Sequence, residues 1–303
     1  NQYGFPQKRD RFFAIGSLGY LPKNPFPQPN GEDPFLKNIL LKKKEIKSKK
    51  DKLIDMVNCN IPSQGKIAIN LWNRFIDCLP NKHNDLASTF PLWLEEIDAS
   101  YPYVSETPFQ RMLCNNFSKD QISDSLKNLP PYAREEKSKF PLWKIKFIDR
   151  NREWFDQYKQ YIDPDIIKEI RRLDYTYRKL EWNWKNSKSS NIWDHTIQLR
   201  PSGIRVSNPR YIPTVVAINA SQRAIYGPLK RHLTKREIAR SFGLPDKLKL
   251  LDNSNSSFTA LGNSVHVEIV KMIADLMLSF DKDNLEVVNL IPKKIPEEII
   301  LSA

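Results

Sequence analysis

Three side chains near the start of the sequence could act together on a polar ligand. Gln7, Arg9 and Arg11 alternate with other residues in the segment Gln7-Lys-Arg9-Asp-Arg11. In an extended segment, alternate side chains point to the same side. A guanidinium is planar and permanently charged, and its oriented donors can clamp a carbonyl oxygen. We therefore expect this segment to bind or position a ligand, and a surface salt-bridge cluster is the structural alternative.

A second candidate is Gly262-Asn263-Ser264, which precedes a segment of helical pattern. The first backbone N–H groups of a helix have no partner within the helix and can bind a polar ligand. Asn263 or Ser264 could instead cap the helix, because their side chains accept hydrogen bonds from those N–H groups. Both roles can hold at once.

Nucleophilic and metal-binding residues are sparse. The three cysteines, Cys59, Cys78 and Cys114, are odd in number and far apart, which indicates reduced thiols in a cytosolic protein. The four histidines are scattered, and none lies at a spacing typical of a metal site. The sequence therefore predicts neither a disulfide framework nor a metal centre.

The charge of the chain favours a polyanionic partner. Its 303 residues carry a formal net charge of +13 at pH 7. Lysine and arginine that neutralise phosphates release counterions from nucleic acid, which drives binding. A solvated basic surface and a membrane-surface protein are alternatives. No apolar run approaches the ~20 residues that span a bilayer, so we expect a soluble protein.

The elements that must position the candidate residues begin with irregular or short segments. Residues 11–18 form a continuous apolar run, which predicts a mostly buried strand. Residues 35–57 have helical spacing and a cluster of lysines, which is either a solvated face or a contact to a DNA backbone. From about residue 60 to residue 198 the pattern is irregular and contains all seven tryptophans, for which a core position is the commoner role.

After residue 200 the pattern becomes regular. Gly227-Pro228 indicates a hairpin, and Thr234 with Glu237 predicts a capped helix that stops at Gly243. A last amphipathic helix is predicted over residues 264–279. The residues that it should bury are Val265, Ile269, Met272, Ile273 and Leu276.

Three segments, in this order, resemble motifs of the DNA cytosine-C5 methyltransferase family. Gln7-Lys-Arg9-Asp-Arg11 is similar to the family's Gln-x-Arg-x-Arg motif, the eighth of its ten. Residues 200–217 and 233–246 resemble the ninth motif and the helix that follows it. Leu261-Gly-Asn263-Ser-Val265 resembles the tenth. The long region between the first two segments lies where the family places its target recognition domain.

The resemblance implies an α/β fold, namely the C-terminal part of a Rossmann-like, S-adenosylmethionine-dependent methyltransferase core. An irregular α+β target recognition domain would be inserted in it at residues 59–198. Residues 1–58, with the eighth motif, and 199–303, with the ninth and tenth motifs and a tail, would belong to the core. The implied function is sequence-specific methylation of cytosine C5 in double-stranded DNA, within a restriction-modification system of the bacterial cytoplasm.

The resemblance also implies roles for single residues. The family extrudes the target cytosine from the DNA stack into a pocket, where Arg11 would contact its O2 while Gln7 and Arg9 position the clamp. The residues expected to share the S-adenosylmethionine site are Asn263, Ser264 and Val265. The expected DNA contacts, chosen as basic residues near the domain junction or among aromatic side chains, are Arg200, Arg205, Arg210, Lys144 and Arg152.

The family's nucleophile, a cysteine that follows proline and attacks cytosine C6, is not found in the sequence. The three cysteines follow Asn58, Asp77 and Leu113, and no Phe-x-Gly-x-Gly or Glu-Asn-Val segment occurs. We therefore expect a split subunit, or the C-terminal piece of a longer chain, that is inactive without an N-terminal half. A non-catalytic DNA-binding protein derived from such an enzyme is the alternative. A third, an endonuclease subunit, depends on a poor match of Asp33 and Glu45-Ile-Lys47.

Overall fold

The computed structural model describes residues 2–16, 24–32, 34–42, 45, 59–86, 90–184, 187–215 and 222–282. The α-helices of these residues are α1 (Ser63–Asp77), α2 (His83–Leu86), α3 (Pro108–Cys114), α4 (Lys119–Lys127), α5 (Leu142–Tyr158), α6 (Pro164–Arg171), α7 (Lys235–Ser241), α8 (Ser254–Asn263) and α9 (Val267–Lys282). The strands are β1 (Leu92–Trp93), β2 (Lys179–Asn183), β3 (Thr196–Arg200), β4 (Gly203–Ser207), β5 (Ile225–Tyr226) and β6 (Arg231–His232). Short 3-10 helices occupy Leu36–Ile39, Leu94–Glu96, Pro131–Ala133, Lys159–Tyr161, Tyr175–Arg178, Ile192–Asp194 and Gly227–Leu229.

The strands form one sheet in the order β1-β2-β4-β3-β5-β6. β2 and β4 are parallel, and the other neighbouring pairs are antiparallel. The tight turn between β3 and β4 ends at Gly203, whose φ is +123°. A Cβ at Gly203 would lie 2.7 Å from the Cβ of Lys179 on β2. Glycine is therefore needed where β4 begins against β2.

β2, β3 and β4 give the sheet two different faces, because alternate side chains of a strand point to opposite sides. One face is apolar and enters the larger core of the protein. Its residues are Leu180, Trp182, Ile197, Leu199, Ile204 and Val206. The other face, which we call the polar sheet face, carries Glu181, Asn183, Gln198, Arg200, Arg205 and Ser207.

Helix α1 covers the apolar face because its apolar residues recur at helical spacing. Ala68, Ile69, Trp72, Phe75 and Ile76 are fully buried in the larger core. The indole Nε1 of Trp72 donates a hydrogen bond to the carbonyl of Tyr177 at 2.8 Å. Truncation of a buried aromatic side chain to alanine costs about 3–5 kcal/mol, so this helix holds the sheet firmly in place.

A second core joins distant segments of the chain. It contains Leu36 and Ile39, Ile212, Tyr226 of β5, residues of α7, and Phe258 and Leu261 of α8. After Val206 the chain reaches the second core at Ile212, and the neighbouring residues Ile225 and Tyr226 of β5 belong to the first and the second core, respectively. The domain boundary expected between residues 198 and 199 falls inside β3, which pairs with β4 and β5 on its two sides.

Two local expectations about the first part of the chain differ from the structure. The strand expected at residues 11–18 is absent from the described residues 11–16, where Phe12 is 91 % exposed. A strand needs a neighbouring strand to pair with its N–H and C=O groups. The β-bridge near this segment is an isolated one that involves Gln7, before residue 11, and Ile212. Of the helix expected at 35–57, residues Leu36–Ile39 form a 3-10 helix and Glu45 is helical, while residues 43, 44 and 46–58 lie outside the described residues. Asp33 and Lys47 of the endonuclease match also lie outside them.

The expectations for the last part of the chain are largely confirmed. β5 and β6 form the hairpin around Gly227-Pro228, and α7 has the capping box of Thr234 and Glu237. α9 forms, but the apolar residues of its expected face are half-buried, and Val265 before it is 44 % exposed. None of the helices in the described ranges is long and apolar enough to cross a membrane.

Candidate functional site

The segment that carries Gln7, Arg9 and Arg11 runs beside Ile212. Lys8 N donates to the Ile212 carbonyl at 2.8 Å, and Ile212 N donates to the Pro6 carbonyl at 2.9 Å. Gln7 is 4 % exposed, and its Nε2 donates to Ser241 Oγ, 3.4 Å away at the end of α7. Gln7 thus anchors the segment to the helix of the ninth-motif region.

Arg9 connects the same segment to residues 262–264. Its Nη1 donates to the carbonyl of Val215 at 3.0 Å, and its Nη2 donates to the carbonyls of Gly262 and, at 3.3 Å, Ser264. The guanidinium also lies over the ring of Phe242, 5.4 Å from the ring centroid. Burial, and secondarily the charge of Arg11, lowers the pKa of Arg9, but a guanidinium remains charged in proteins.

Arg11 is exposed, and its Nη1 donates to the carbonyl of Asp10 at 2.8 Å. Gln7, Arg9 and Arg11 together line a cavity of about 520 Å³, as their alternation predicts. Lys8 lines a different cavity. The first cavity, which we call the clamp cavity, is otherwise lined by Gln2, Tyr3, Phe5, Asp10, Phe12, Phe13, Phe26, Pro27, His266, Ile269 and Ile273.

Residues 262–266 differ from the expected start of a helix. Gly262 and Asn263 are the last residues of α8, and Ser264 is its C-cap, with its hydroxyl donating to the Leu261 carbonyl at 2.7 Å. α9 begins only at Val267, whose N–H is already bonded to the Phe242 carbonyl at 2.9 Å. The expected capping of the following helix by Asn263 or Ser264 is therefore wrong. Asn263 and Val265 are exposed instead.

His266 lies at the inner end of this linker and was not singled out by its sequence context. It is 8 % exposed and packs on Phe5 with the ring centroids 3.8 Å apart. Burial lowers the pKa of His266 to about 4, so the ring is neutral at pH 7. Its Nδ1 is buried without a hydrogen-bond partner in the described part of the chain. His266 thus gives the clamp cavity an uncharged polar wall.

A buried carboxylate fixes the helix against which Gln7 and Arg9 rest. Glu237 is fully buried and accepts hydrogen bonds from Thr234 N and Leu41 N, each at 2.9 Å. Both terminal nitrogens of Arg231 also donate to it, at 2.8 and 2.6 Å. These bonds to a charged group satisfy a carboxylate that would be costly to bury alone.

A second cavity, of about 510 Å³, lies along the polar sheet face, and we call it the polar groove. Its lining residues are Lys8, Asp10, Asn183, Gln198, Arg200, Pro201, Ser202, Arg205, Ser207, Tyr211, Pro213, Thr214 and Gln222. Arg200 and Arg205, two of the expected DNA contacts, are held in it by Glu181. Arg205 donates to Glu181 Oε1 from Nε at 2.9 Å and from Nη2 at 2.6 Å, and Arg200 Nη2 donates to Oε2.

The other expected DNA contacts lie elsewhere. The side chain of Lys144 is 3 % exposed, and its ammonium donates to the Tyr132 carbonyl at 2.8 Å and to Glu135. A cation buried in this way cannot reach a phosphate, so the structure contradicts a DNA contact by Lys144. Arg210 is exposed and is not among the residues that line the polar groove.

Arg152 is also engaged within the protein. Its Nε donates to Glu96 Oε2 at 3.0 Å, and its guanidinium lies over the rings of Tyr101 and Tyr103, 4.7 and 4.3 Å from their centroids. Glu96 is buried and also accepts from the hydroxyls of Tyr101 and Tyr132. Arg152 therefore neutralises a buried carboxylate, which is a structural role rather than the expected DNA contact.

The cysteines do not add a nucleophile to either cavity. Cys59 is buried, Cys78 is half-buried and Cys114 is exposed, and all three are free thiols. None of them lines the clamp cavity or the polar groove. The residues that the structure describes also contain no cluster of three His, Cys, Asp or Glu side chains suited to a metal ion.

Comparison with known proteins gives two findings. The chain matches the model of a family described as "C-5 cytosine-specific DNA methylase" over residues 1–279. It is similar to the type II methyltransferase M.AluI of Cellulosimicrobium cellulans, with 34% identity over 143 residues. That alignment covers 44% of this chain and 26% of the relative, so the chain matches about a quarter of the relative's length. None of the solved structures matches the chain.

Proposed function

This chain belongs to the C-5 cytosine-specific DNA methylase family, and we propose from this premise that it supplies the DNA-reading and base-holding part of such an enzyme. The reaction is transfer of a methyl group from S-adenosylmethionine to cytosine C5 within a specific sequence of double-stranded DNA. The likeness to a type II methyltransferase supports a role in a restriction-modification system. The nucleophilic cysteine and most of the cofactor site come from an N-terminal half that carries the Pro-Cys and Phe-x-Gly motifs.

One observation carries this proposal, namely the network that Gln7 and Arg9 make with distant segments. The network joins the segment of the eighth motif to Ser241 in the ninth-motif helix and to the carbonyls of Gly262 and Ser264 in the tenth motif. Residues more than 200 positions apart in sequence are thus assembled around one cavity. This arrangement leaves Arg11 as the exposed member of the clamp.

Arg11 then acts directly on the substrate. The target cytosine must leave the stack to expose its C5–C6 edge, and a guanidinium can donate oriented hydrogen bonds to its O2. Negative charge develops on the ring when the cysteine adds to C6, and a positive donor at O2 stabilises that charge. Gln7 and Arg9 are positioning residues, because their side chains bond to the protein itself.

The proposed cofactor contacts are residues 263–265, which lie where α8 ends and which we call the rim. Asn263 and Val265 are exposed, while the Ser264 carbonyl is held by Arg9 beside the clamp cavity. Three residues on one rim can contact only one edge of S-adenosylmethionine, which fits a site shared with another part of the enzyme. The cofactor supplies an electrophilic methyl group. Asn263, Ser264 and Val265 would orient it from one side.

The recognition region is proposed to extend from residue 59 to residue 207. β3 and β4 pair with β2 and share the larger core with α1. Ile212, the next buried apolar residue after β4, belongs to the second core. This boundary puts Arg200 and Arg205 inside the recognition region, on the wall of the polar groove.

Methyl transfer by the reconstituted enzyme tests the proposal. The purified chain is combined with the N-terminal polypeptide, and incorporation of labelled methyl groups into DNA is measured. Arg11→Ala should reduce kcat by about 10²–10³-fold, the usual loss for one charge-stabilising donor. Arg74→Ala is the matched control, because Arg74 is 51% exposed and pairs with Glu169 away from both cavities. Equal rates for both variants would contradict the proposed role of Arg11.

A further inference from the structure

One wall of the polar groove consists of buried polar side chains that can form hydrogen bonds. A sheet face that meets only solvent does not require such buried polar groups. Gln198 and Ser207 are 6% and 7% exposed, yet both line the groove. The strand register puts Glu181 beside Arg205, and Arg205 beside Gln198, in one row across three strands. A second row holds Asn183 beside Ser207. Because side chains in register lie close together on one face, these groups lie side by side on one wall of the groove.

Glu181 sets the geometry of this wall. Its two oxygens accept from Arg205 and Arg200, which come from different strands, and its side chain is 25% exposed. The hydrogen bonds of the two arginines lower the pKa of Glu181 although burial alone would raise it. The carboxylate is therefore ionised at neutral pH. Glu181 therefore holds the long side chains of Arg200 and Arg205 in one arrangement, although each could otherwise sample many rotamers.

The bonds to Glu181 leave a donor available on Arg205. They use Nε and Nη2 of that guanidinium, so Nη1 can meet a ligand at the mouth of the groove, where Arg205 is 30% exposed. Asn183 is exposed on the neighbouring strand and lines the same groove. An amide offers both donors and acceptors, and a guanidinium offers donors only.

This mixture of groups fits base edges better than a phosphate. A phosphate only accepts hydrogen bonds, and the carboxylate, amide and hydroxyl oxygens of this wall would not be matched by it. Base edges present both kinds of group, and arginine with guanine and asparagine or glutamine with adenine are favourable pairs. On the basis of the proposed function, we infer that the polar sheet face reads DNA bases and that Glu181 is the positioning residue for its arginines.

Selection from a random-sequence DNA duplex library tests this inference. The wild-type chain and the variants Glu181→Gln, Asn183→Ala and Glu95→Gln are each bound to the library, and the enriched sequences are determined. Affinity for bulk duplex of unselected sequence is measured in parallel. Glu95→Gln is the matched control, because Glu95 also pairs with a half-buried arginine, Arg178 at 2.7 Å, but that arginine, unlike Arg200 and Arg205, does not line the groove.

Glu181→Gln should reduce the preference for the enriched sequence about tenfold, the value of one well-placed base contact. Its affinity for bulk DNA should be unchanged or higher, since the substitution removes a negative charge. A purely structural role would instead weaken both affinities together. Asn183→Ala, a change at an exposed position, should relax the preference at one base position and leave the folded structure intact. Glu95→Gln should behave as the wild type.

The inference is overturned if Glu181→Gln and Asn183→Ala enrich the wild-type sequence to the wild-type extent. It is also overturned if Glu181→Gln changes bulk affinity alone, which is the result for a phosphate site. Enrichment of no sequence by the wild-type chain would contradict the proposed recognition function and this inference with it. Wild-type enrichment with unaffected variants would leave the proposed function standing and reject only this inference.

Discussion

Arg9 should hold residues 262–265 in place through hydrogen bonds, and Arg9→Lys removes part of these bonds while keeping the charge. The guanidinium reaches the Val215 carbonyl with one nitrogen and the Gly262 and Ser264 carbonyls with another. An ammonium is a single point of charge and can serve only one of these two positions. The variant therefore loses one or two of the three bonds.

The magnitude follows from these contacts. A hydrogen bond from a charged donor contributes about 1.5–3 kcal/mol, and water at this half-buried position replaces part of each lost bond. We expect the free energy of local opening at the rim to fall by about 2 kcal/mol, which corresponds to roughly thirtyfold faster hydrogen exchange. The reporters are the N–H groups of Val267, bonded to the Phe242 carbonyl, and Val270, bonded to the His266 carbonyl.

Hydrogen exchange of residues 264–270 in the purified chain measures this effect. Arg11→Lys is the control, because among the described residues Arg11 bonds only to the neighbouring Asp10 carbonyl and lies on the surface. Its exchange rates should stay within about twofold of the wild type, as for most surface substitutions. If the Val267 N–H of Arg9→Lys exchanged at the wild-type rate, the guanidinium of Arg9 would not position the rim.

Three further predictions concern buried ionisable groups. Glu237→Gln should lower the free energy of unfolding by about 3 kcal/mol in urea titrations, because it leaves Arg231 buried without its counter-charge; an unchanged midpoint would contradict this. Burial lowers the pKa of Lys179 to about 8 in the folded protein. Above pH 8 the unfolded chain therefore holds one more proton than the folded chain. The free energy of unfolding of the wild type should consequently rise from pH 8 to 10 relative to that of Lys179→Met. The pKa of about 4 for His266 means that stability is lost as pH falls from about 6.5 towards 4; His266→Phe, which keeps the contact with Phe5, should lose less over this interval in acid titrations.

The elements that the sequence predicted well are those determined by local chemistry. The capping box of Thr234 and Glu237 begins α7 as expected, and Gly243, with φ +71°, follows its end. The hairpin at Gly227-Pro228 is likewise specified by its own turn residues. The alternation of Gln7, Arg9 and Arg11 predicts that they face one side; all three line the clamp cavity, although Asp10 between them lines it as well.

The failures arise where a local signal is hidden in a polar run or where residues elsewhere in the fold decide the outcome. The polar run 253–257 hides the start of α8, in which Asn253 accepts a hydrogen bond from Ser256 N, so Gly262 and Asn263 end a helix instead of preceding one. Lys144 is a basic residue among aromatic ones, as expected of a DNA contact, but Glu135 neutralises its charge.

Glu181 was missed for a related reason. Its pairing with Arg200 and Arg205 depends on the register of three strands, and no spacing in the sequence reveals that register.

We propose that this chain holds the flipped base and recognises the DNA sequence while another polypeptide supplies the nucleophile. Bisulfite sequencing of DNA from cells that express the chain alone, the N-terminal half alone, or both tests it most directly. We expect methylated cytosine at one recurring sequence only when both are present, and loss of that signal with Arg11→Ala but not with Arg74→Ala. Methylation by the chain alone, or an undiminished signal with Arg11→Ala, would contradict the account.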